Sequence, residues 1–211
     1  MARKLKYDIP GPDWRIEVEE AREKGWPALF GGPALPLVVE IGFGRGEFLT
    51  HLAGEAPAQA FVGIEYSEKR VLKLARRLAR SELRNVRLLG ASAQEATARA
   101  IPDASVSCFW INFPDPWPKK RHFKRRLIAP AFARELVRCL RPGGILEVAT
   151  DHRGYAGWID EVLNGTPGLE NLHAPKRWRS SPEAGRMATA YELEWRALGH
   201  PFHFFRHRRR P

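Results

Sequence analysis

The sequence predicts an α/β fold built on a doubly wound, mostly parallel sheet. Short β-branched apolar runs alternate with helical patterns, and the first run passes directly into a glycine-rich turn. Such alternation is typical of βαβ units, whose strands are parallel and buried. With 211 residues, 44% of them hydrophobic, the chain is long enough for one core. We therefore expect a single domain overall, with an N-terminal extension over residues 1–35 and the main domain over residues 36–211.

The N-terminal extension is predicted to hold one helix. Asp13 has the side chain of a helix N-cap, and Trp14 and three glutamates follow it. Glycine and proline at 25–27 end this helix, and the Gly-Gly-Pro at 31–33 breaks the chain before the first apolar run.

The main domain is predicted to contain five strands, each followed by a helix. The strands lie at 35–41, 60–65, 86–89, 106–111 and 145–150, and the helices at 47–53, 67–83, 93–100, 127–140 and 155–163. A tight turn over 141–144 precedes the fifth strand. A polar stretch covers 164–190, and an apolar-aromatic run at 201–206 predicts an antiparallel C-terminal strand.

The net charge points to a polyanionic partner. Lys and Arg number 35 against 24 Asp and Glu, which gives +11 at pH 7. This excess favours nucleic acid, although a solvated basic surface or a membrane-facing patch has the same signature. The chain has no apolar signal segment and no run near the roughly 18 apolar residues of a membrane helix. We expect a cytoplasmic protein with no membrane contact and reduced thiols at Cys108 and Cys139.

The long helix predicted over 67–83 has one apolar face and one strongly basic face. The basic face carries Lys69, Arg70, Lys73, Arg76, Arg77 and Arg80. Long charged faces on amphipathic helices are most often solvated, so a solvated face is favoured here over an RNA contact.

A glycine loop follows the first predicted strand. Gly42, Gly44 and Gly46 lie at the carboxyl edge of the sheet, where open α/β sheets bind ligands, and a side chain there would keep a ligand from the backbone. Glu47 occupies the position of the third glycine in the dinucleotide fingerprint, so pyrophosphate binding is disfavoured. A tight turn without any ligand is the alternative.

Two acids border this loop. Glu65 ends the next predicted strand and is suited to accept hydrogen bonds from the two hydroxyls of a ribose. Glu40 precedes the glycines, where it would repel a pyrophosphate but suit an ammonium or a sulfonium. The combination indicates S-adenosylmethionine.

A second loop follows the fourth predicted strand. Asp115 lies between Pro114 and Pro116, which restrict the backbone on both sides and limit the directions of the carboxylate. Trp117 offers a stacking face, and a basic row for phosphates follows, formed by Lys119, Lys120, Arg121, Lys124, Arg125 and Arg126. An aspartate that only satisfies its own turn is the alternative reading of Asp115.

These motifs, together with Gly63-Ile64-Glu65, Ala149-Thr150-Asp151 and Thr189-Ala190-Tyr191-Glu192, resemble the bacterial tRNA (guanine-N7)-methyltransferases over about residues 37 to 200. The resemblance implies a class I, Rossmann-like fold and methylation of a guanine in the tRNA variable loop. It implies a catalytic Asp115, tRNA contacts from Lys119, Asp151, Thr189 and Glu192, and S-adenosylmethionine contacts from Glu40, Gly42, Gly44, Gly46, Glu65, Ser92 and Asp115. Ser92 stands where relatives often carry an acid for the adenine.

Other functions are compatible with parts of this pattern. An amino-methyltransferase acting on adenine or cytosine has a related loop, but its prolines follow the Asn or Asp instead of flanking it. A non-catalytic RNA-binding protein on the same fold is another alternative, whereas a nicotinamide oxidoreductase is disfavoured by Glu47. The seven histidines form no metal-ligand pattern, so no metal is expected, and tRNA is the one partner predicted.

Overall fold

The computed structural model describes residues 7–211 in two compact units, which divide after Ile101. The first six residues of the predicted extension lie outside the described part. The single-domain organisation with a boundary after residue 35 stays a prediction. None of the helices in residues 7–211 combines the length and the apolar composition that crossing a bilayer requires.

The first unit consists of parallel strands and helices. In chain order it contains β1 (Arg15–Ile16), α1 (Val18–Lys24), α2 (Trp26–Leu29), β2 (Leu37–Ile41), α3 (Glu47–Glu55), β3 (Ala60–Ile64), α4 (Glu68–Leu78), β4 (Val86–Leu89) and α5 (Ala93–Ala100). The strand order is β1-β4-β3-β2, and every neighbouring pair is parallel. All residues of β2, β3 and β4 are buried, as expected for central strands of an α/β protein.

The predicted start of the N-terminal helix, at Asp13 and Trp14, is wrong. The Asp13 carboxylate accepts hydrogen bonds from the backbone and side chain of Arg15 and does not cap a helix. The adjoining backbone forms β1, and Trp14 O accepts a hydrogen bond of 2.9 Å from Leu88 N. Strand pairing therefore prevails over the local capping signal, and α1 begins only at Val18.

The second unit adds an antiparallel half to parallel strands. It contains β5 (Val106–Asn112), a 3₁₀ helix (Lys120–Arg125), α6 (Pro130–Cys139), β6 (Leu140–Thr150), α7 (Arg153–Asn164), β7 (Leu169–Asn171), α8 (Ala190–Ala197) and β8 (His203–Arg209). The order is β5-β6-β8-β7, with β5 parallel to β6 and β8 antiparallel to both neighbours. The α/β class and the antiparallel C-terminal strand are confirmed.

The predicted turn over 141–144 is present as an irregularity at the start of β6. Val106 of β5 pairs with Leu140, but Cys108 already pairs with Ile145. The intervening residues therefore bulge out of the ladder, and Gly143 has a φ of 76°.

Candidate functional site

The glycine loop of the first unit connects β2 to α3. Its three glycines all have positive φ, at 75° for Gly42, 57° for Gly44 and 75° for Gly46. A Cβ on Gly42 would meet no atom within 4 Å, whereas a Cβ on Gly46 would overlap the side chain of Leu74 in α4. The first glycine therefore leaves open space above the loop, and the third permits the close packing of α3 against α4.

Glu65 fixes the shape of this loop. Its buried carboxylate accepts one hydrogen bond of 3.1 Å from Gly44 N and another of 2.9 Å from Ser67 N, and Arg70 lies at 3.6 Å. Each carboxylate oxygen has two lone pairs, so both oxygens keep the capacity to accept one more hydrogen bond. The predicted ribose acceptor is thus held in place by the backbone of the glycine loop and of the start of α4.

The other two predicted cofactor residues of this unit lie at strand and helix ends. Glu40 is part of β2 and is 3% exposed. Ser92 is the N-cap of α5, where its hydroxyl oxygen accepts a hydrogen bond of 3.1 Å from Glu95 N. The Ser92 hydroxyl keeps its proton for donation, because capping uses only the oxygen.

The Pro-Asp-Pro-Trp loop of the second unit is bracketed by two left-handed residues. Phe113 has a φ of 53° and Trp117 a φ of 42°, values that cost non-glycine residues roughly 1–3 kcal/mol each. Phe113 N donates to Ala149 O at 2.9 Å, which holds the loop at the end of β5. Asp115 is exposed between these two positions. Strained backbone of this kind is concentrated at functional sites.

Arg126 supports this loop from inside. Its side chain is buried, with Nε donating to Pro116 O at 3.0 Å and the guanidinium 3.6 Å above the Phe123 ring. An RNA contact by Arg126 stays a prediction, because the side chain has its partners in the protein interior and would have to leave them to reach RNA. The local sequence of six cations in eight residues did not distinguish it from its neighbours.

The remaining cations of the predicted basic row lie on the surface. Lys119, Lys120, Arg121, Lys124 and Arg125 are all exposed on or beside the 3₁₀ helix. The Arg125 guanidinium lies 4.9 Å from the centre of the Trp117 ring, and His122 approaches the same ring edge-on. The row is therefore accessible to phosphates, whereas Trp117 is already in contact with two side chains.

Three predicted substrate residues are arranged around α8. Thr189 caps this helix by accepting a hydrogen bond of 3.0 Å from Glu192 N. Asp151 accepts a hydrogen bond of 2.8 Å from the Tyr191 hydroxyl. Burial and this hydrogen bond raise the pKa of Tyr191 to about 12, so the hydroxyl remains a donor at neutral pH.

Glu192 has a different environment from the one a substrate contact requires. Its side chain is fully buried, and it accepts hydrogen bonds from Arg186 at 2.6 Å and from Arg196 at 2.5 Å. A contact between this carboxylate and tRNA stays a prediction that would need α8 to shift.

The comparisons with known proteins agree with one another. The family described as "Putative methyltransferase" matches residues 34–205. The tRNA (guanine-N(7)-)-methyltransferase of Acidithiobacillus ferrooxidans is 43% identical over 176 residues, which is 83% of this chain and 77% of that protein. The enzyme of the same name from Ectopseudomonas mendocina is 38% identical over 192 residues, with 84% and 80% coverage.

The chain belongs to the tRNA (guanine-N(7)-)-methyltransferase family. Solved structures with much lower identity share its fold. The 16S rRNA methyltransferase KamB has a TM-score of 0.63 at 17% identity and covers 92% of both chains. The aminoglycoside resistance methyltransferase NpmB1 has a TM-score of 0.58 at 17% identity, with 93% and 95% coverage. The predicted Rossmann-like methyltransferase fold is thereby confirmed.

Within the second unit, the structure joins some of the residues expected from the family and leaves others apart. Tyr191 links Asp151 to the ring of Phe113, whose centroid lies 5.1 Å away. In residues 7–211, Asp115 and Lys119 form no hydrogen bond or ion pair with Asp151, Thr189 or Glu192. Tyr191 and Arg186 were not predicted as functional residues. Tyr191 stands inside the quoted Thr-x-Tyr-Glu element, whereas Arg186 gave no local signal.

Proposed function

We propose that this chain transfers a methyl group from S-adenosylmethionine to N7 of a guanine in the variable loop of tRNA. The observation that carries the proposal is the family itself, since relatives up to 44% identical share the name tRNA (guanine-N(7)-)-methyltransferase. The Pro-Asp-Pro-Trp loop, bracketed by the strained residues Phe113 and Trp117, supports it. We place the enzyme in the cytoplasm, where tRNA is modified.

Features of the first unit support S-adenosylmethionine binding. Gly42 leaves the space above the loop open, and the carboxylate of Glu65 retains lone pairs for ribose hydroxyls. Ser92 offers a donor for an adenine nitrogen, and we assign the buried carboxyl group of Glu40 to the sulfonium or ammonium end of the cofactor. When bound, S-adenosylmethionine provides an electrophilic methyl group on its sulfonium sulfur.

Methyl transfer to guanine N7 does not require a protein group to accept or donate a proton. N7 carries a lone pair and no proton, so attack on the methyl group needs alignment and desolvation but no general base. Positive charge then grows on the guanine. Asp115 stabilises this charge electrostatically or accepts hydrogen bonds from the N–H groups of the base. Asp151 and Thr189 are proposed to hold the base or its nucleotide.

The basic row is proposed to bind the tRNA backbone. Lys119 is the substrate contact expected from the family, and Lys120, Arg121, Lys124 and Arg125 extend it along the 3₁₀ helix. Each phosphate contact should contribute about −0.7 to −0.9 to the slope of log K against log salt concentration. Changing Lys124 and Arg125 together to Ala should therefore flatten that slope. An unchanged slope would make the row a solvated surface.

The decisive experiment is methyl transfer from labelled S-adenosylmethionine to bulk tRNA, followed by digestion and mass analysis. The expected product is 7-methylguanosine, and Asp115→Ala should abolish its formation. A methylated adenine or cytosine would support the amino-methyltransferase alternative. No transfer together with no calorimetric binding of S-adenosylmethionine would support a non-catalytic RNA-binding protein.

A further inference from the structure

The outer face of α4 carries a line of four exposed cations. Lys69, Lys73, Arg77 and Arg80 follow one another at spacings of four, four and three residues, so they lie along one side of the helix and its C-terminal turn. At 1.5 Å per residue, this line, here called the α4 stripe, extends for roughly 16 Å.

The α4 stripe differs from the cations of α1 and α5 in having no acidic partners. On α1, Arg22 pairs with Glu19 at 2.8 Å and Lys24 with Glu20 at 2.9 Å, and on α5, Arg99 pairs with Glu95 at 3.2 Å. Within residues 7–211, no member of the α4 stripe forms an ion pair with a carboxylate. The stripe therefore presents its full positive charge to solvent.

This arrangement acts against the stability of the helix. Like charges four residues apart repel each other, and Lys69, Lys73 and Arg77 form two such pairs in succession. A face that only needs to be soluble is better served by the mixed charges of α1 and α5. The uniform charge therefore favours a binding role over the solvated face that the sequence alone indicated.

An exposed aromatic residue lies just before the N-cap of α4. Tyr66 lies two residues before the first residue of α4, follows the loop acid Glu65, and is 83% exposed. Single-stranded nucleic acid is held by positively charged surfaces that track the backbone, combined with aromatic rings on which bases stack. An anionic lipid surface fits less well, because the apolar residues of α4 are buried in the core and cannot enter a bilayer.

We propose that Tyr66 and the α4 stripe form a second RNA-binding surface, distinct from the basic row, that contacts the backbone of the tRNA substrate. The inference rests on the proposed function, because it takes tRNA as the polyanion. It assigns α4 the role of binding tRNA phosphates without base specificity, while Tyr66 stacks on an unpaired base.

The sharpest test is Lys73→Glu, because it should affect stability and binding in opposite directions. The new carboxylate would lie four residues before Arg77 and four after Lys69, so the helix should become more stable and the unfolding temperature should rise or stay constant. The affinity for tRNA should fall several-fold, and the slope of log K against log salt should become shallower by about 1.

Arg134→Glu on α6 is the matched control. Arg134 is also exposed, has another cation four residues later, and undergoes the same change in charge. It should leave the salt slope of tRNA binding as in the wild type. Equal effects of the two variants would show that only net charge matters and would overturn the proposal. The proposal would also be overturned if the wild type, but not Lys73→Glu, bound anionic lipid vesicles while both proteins bound tRNA with the same affinity.

Two further measurements keep the inference separate from the proposed function. The triple change of Lys69, Lys73 and Arg77 to Gln, which introduces no new charge, should reduce the slope by about 2 to 3 and leave calorimetric binding of S-adenosylmethionine intact. If the wild type binds tRNA through the α4 stripe but does not methylate it, the proposed function is wrong and the inference about the α4 stripe stands. If it methylates tRNA and the triple variant binds tRNA with the wild-type slope, the inference fails alone.

Discussion

Arg186 and Glu192 form a buried ion pair in which 2.6 Å separates Nη1 from the carboxylate oxygen. The second amino group of Arg186 donates to the side-chain oxygen of Asn112 at 2.8 Å. Asn112 is the last residue of β5 and directly precedes the strained loop, and Glu192 lies in the first turn of α8. One guanidinium therefore joins the start of the Pro-Asp-Pro-Trp loop to the Thr-x-Tyr-Glu element.

We expect Arg186→Met to destabilise the protein strongly. Without Arg186, the fully buried Glu192 carboxylate keeps only the half-exposed Arg196 as a partner, and Asn112 loses its hydrogen bond, so breaking the buried pair should cost about 3–5 kcal/mol. The control is Arg196→Met, because Arg196 also binds Glu192 but its side chain is 48% exposed, so the loss should be at most about 1 kcal/mol. Urea unfolding measures both. Equal losses of unfolding free energy in the two variants would show that burial of the Arg186–Glu192 pair does not determine how much it stabilises the protein.

Arg186→Lys separates positioning from stability. A lysine ammonium lacks the planar fork that reaches two acceptors at once, so it can satisfy Glu192 but not Asn112 as well. We expect kcat for tRNA methylation to fall while KM for S-adenosylmethionine changes little, because the loop before Asp115 loses one support. A change confined to the unfolding free energy, with unaltered kcat, would leave Arg186 with a structural role alone.

The first and third glycines of the loop should respond differently to alanine. Both have a φ of 75°, where alanine costs about 1 kcal/mol. Gly46→Ala adds an overlap with Leu74, which should raise the total loss of stability to about 2–4 kcal/mol. Gly42→Ala should cost only the backbone strain, yet weaken calorimetric binding of S-adenosylmethionine because its methyl group enters the open space. If Gly42→Ala binds S-adenosylmethionine as tightly as the wild type, the cofactor does not bind at this loop.

The stability of the protein should depend on pH through Glu147. Burial raises the pKa of this carboxyl from 4.5 to about 7, although Arg206 at 3.3 Å acts in the opposite direction. The folded chain retains the proton where the unfolded chain loses it. The protonated, buried Glu147 stabilises the fold fully below pH 4.5, and this contribution is lost as the pH rises through 7, a change on the order of 3 kcal/mol.

Comparison with Glu147→Gln isolates this effect. His207 contributes in the opposite sense, because burial lowers its pKa to about 4 and its contribution is lost as the pH falls from 6.5 through that value. The His207 contribution is common to both proteins and cancels in their difference. The stability of the wild type relative to Glu147→Gln, measured by urea unfolding, should decrease between pH 4.5 and 7. A constant difference would mean that Glu147 is ionised throughout.

The parallel part of the fold was predictable because its signals are local. Val86–Leu89 and Ala93–Ala100 have the predicted bounds, since a short, mostly apolar segment and a serine cap specify them without distant partners. The extension was mispredicted because pairing between β1 and β4 depends on residues more than seventy positions away. The helix α8 was missed because its sequence lies just beyond a polar stretch and buries only Glu192.

The residues of the candidate site also divide into those with local sequence signals and those that depend on distant partners. Glu65 and Asp115 are detectable because glycine and proline beside them impose a specific backbone. Arg186 is separated by 74 residues from Asn112, and its burial depends on a partner that no neighbouring residue indicates. The exposed and the buried arginines of the row at 119–126 differ only in tertiary contacts, which the sequence pattern cannot distinguish.

Asp115→Asn tests whether the charge of this residue is needed for catalysis. Asparagine preserves the size of the side chain and, because Asp115 is exposed, should change stability by less than about 0.5 kcal/mol. If the carboxylate stabilises the positive charge that grows on guanine, kcat should fall by roughly 100-fold with S-adenosylmethionine near saturation. Glu161→Gln, at another exposed acid of the second unit, should leave kcat unchanged. Full turnover by Asp115→Asn would exclude the electrostatic role and leave hydrogen bonding to the base, which an amide oxygen can also accept.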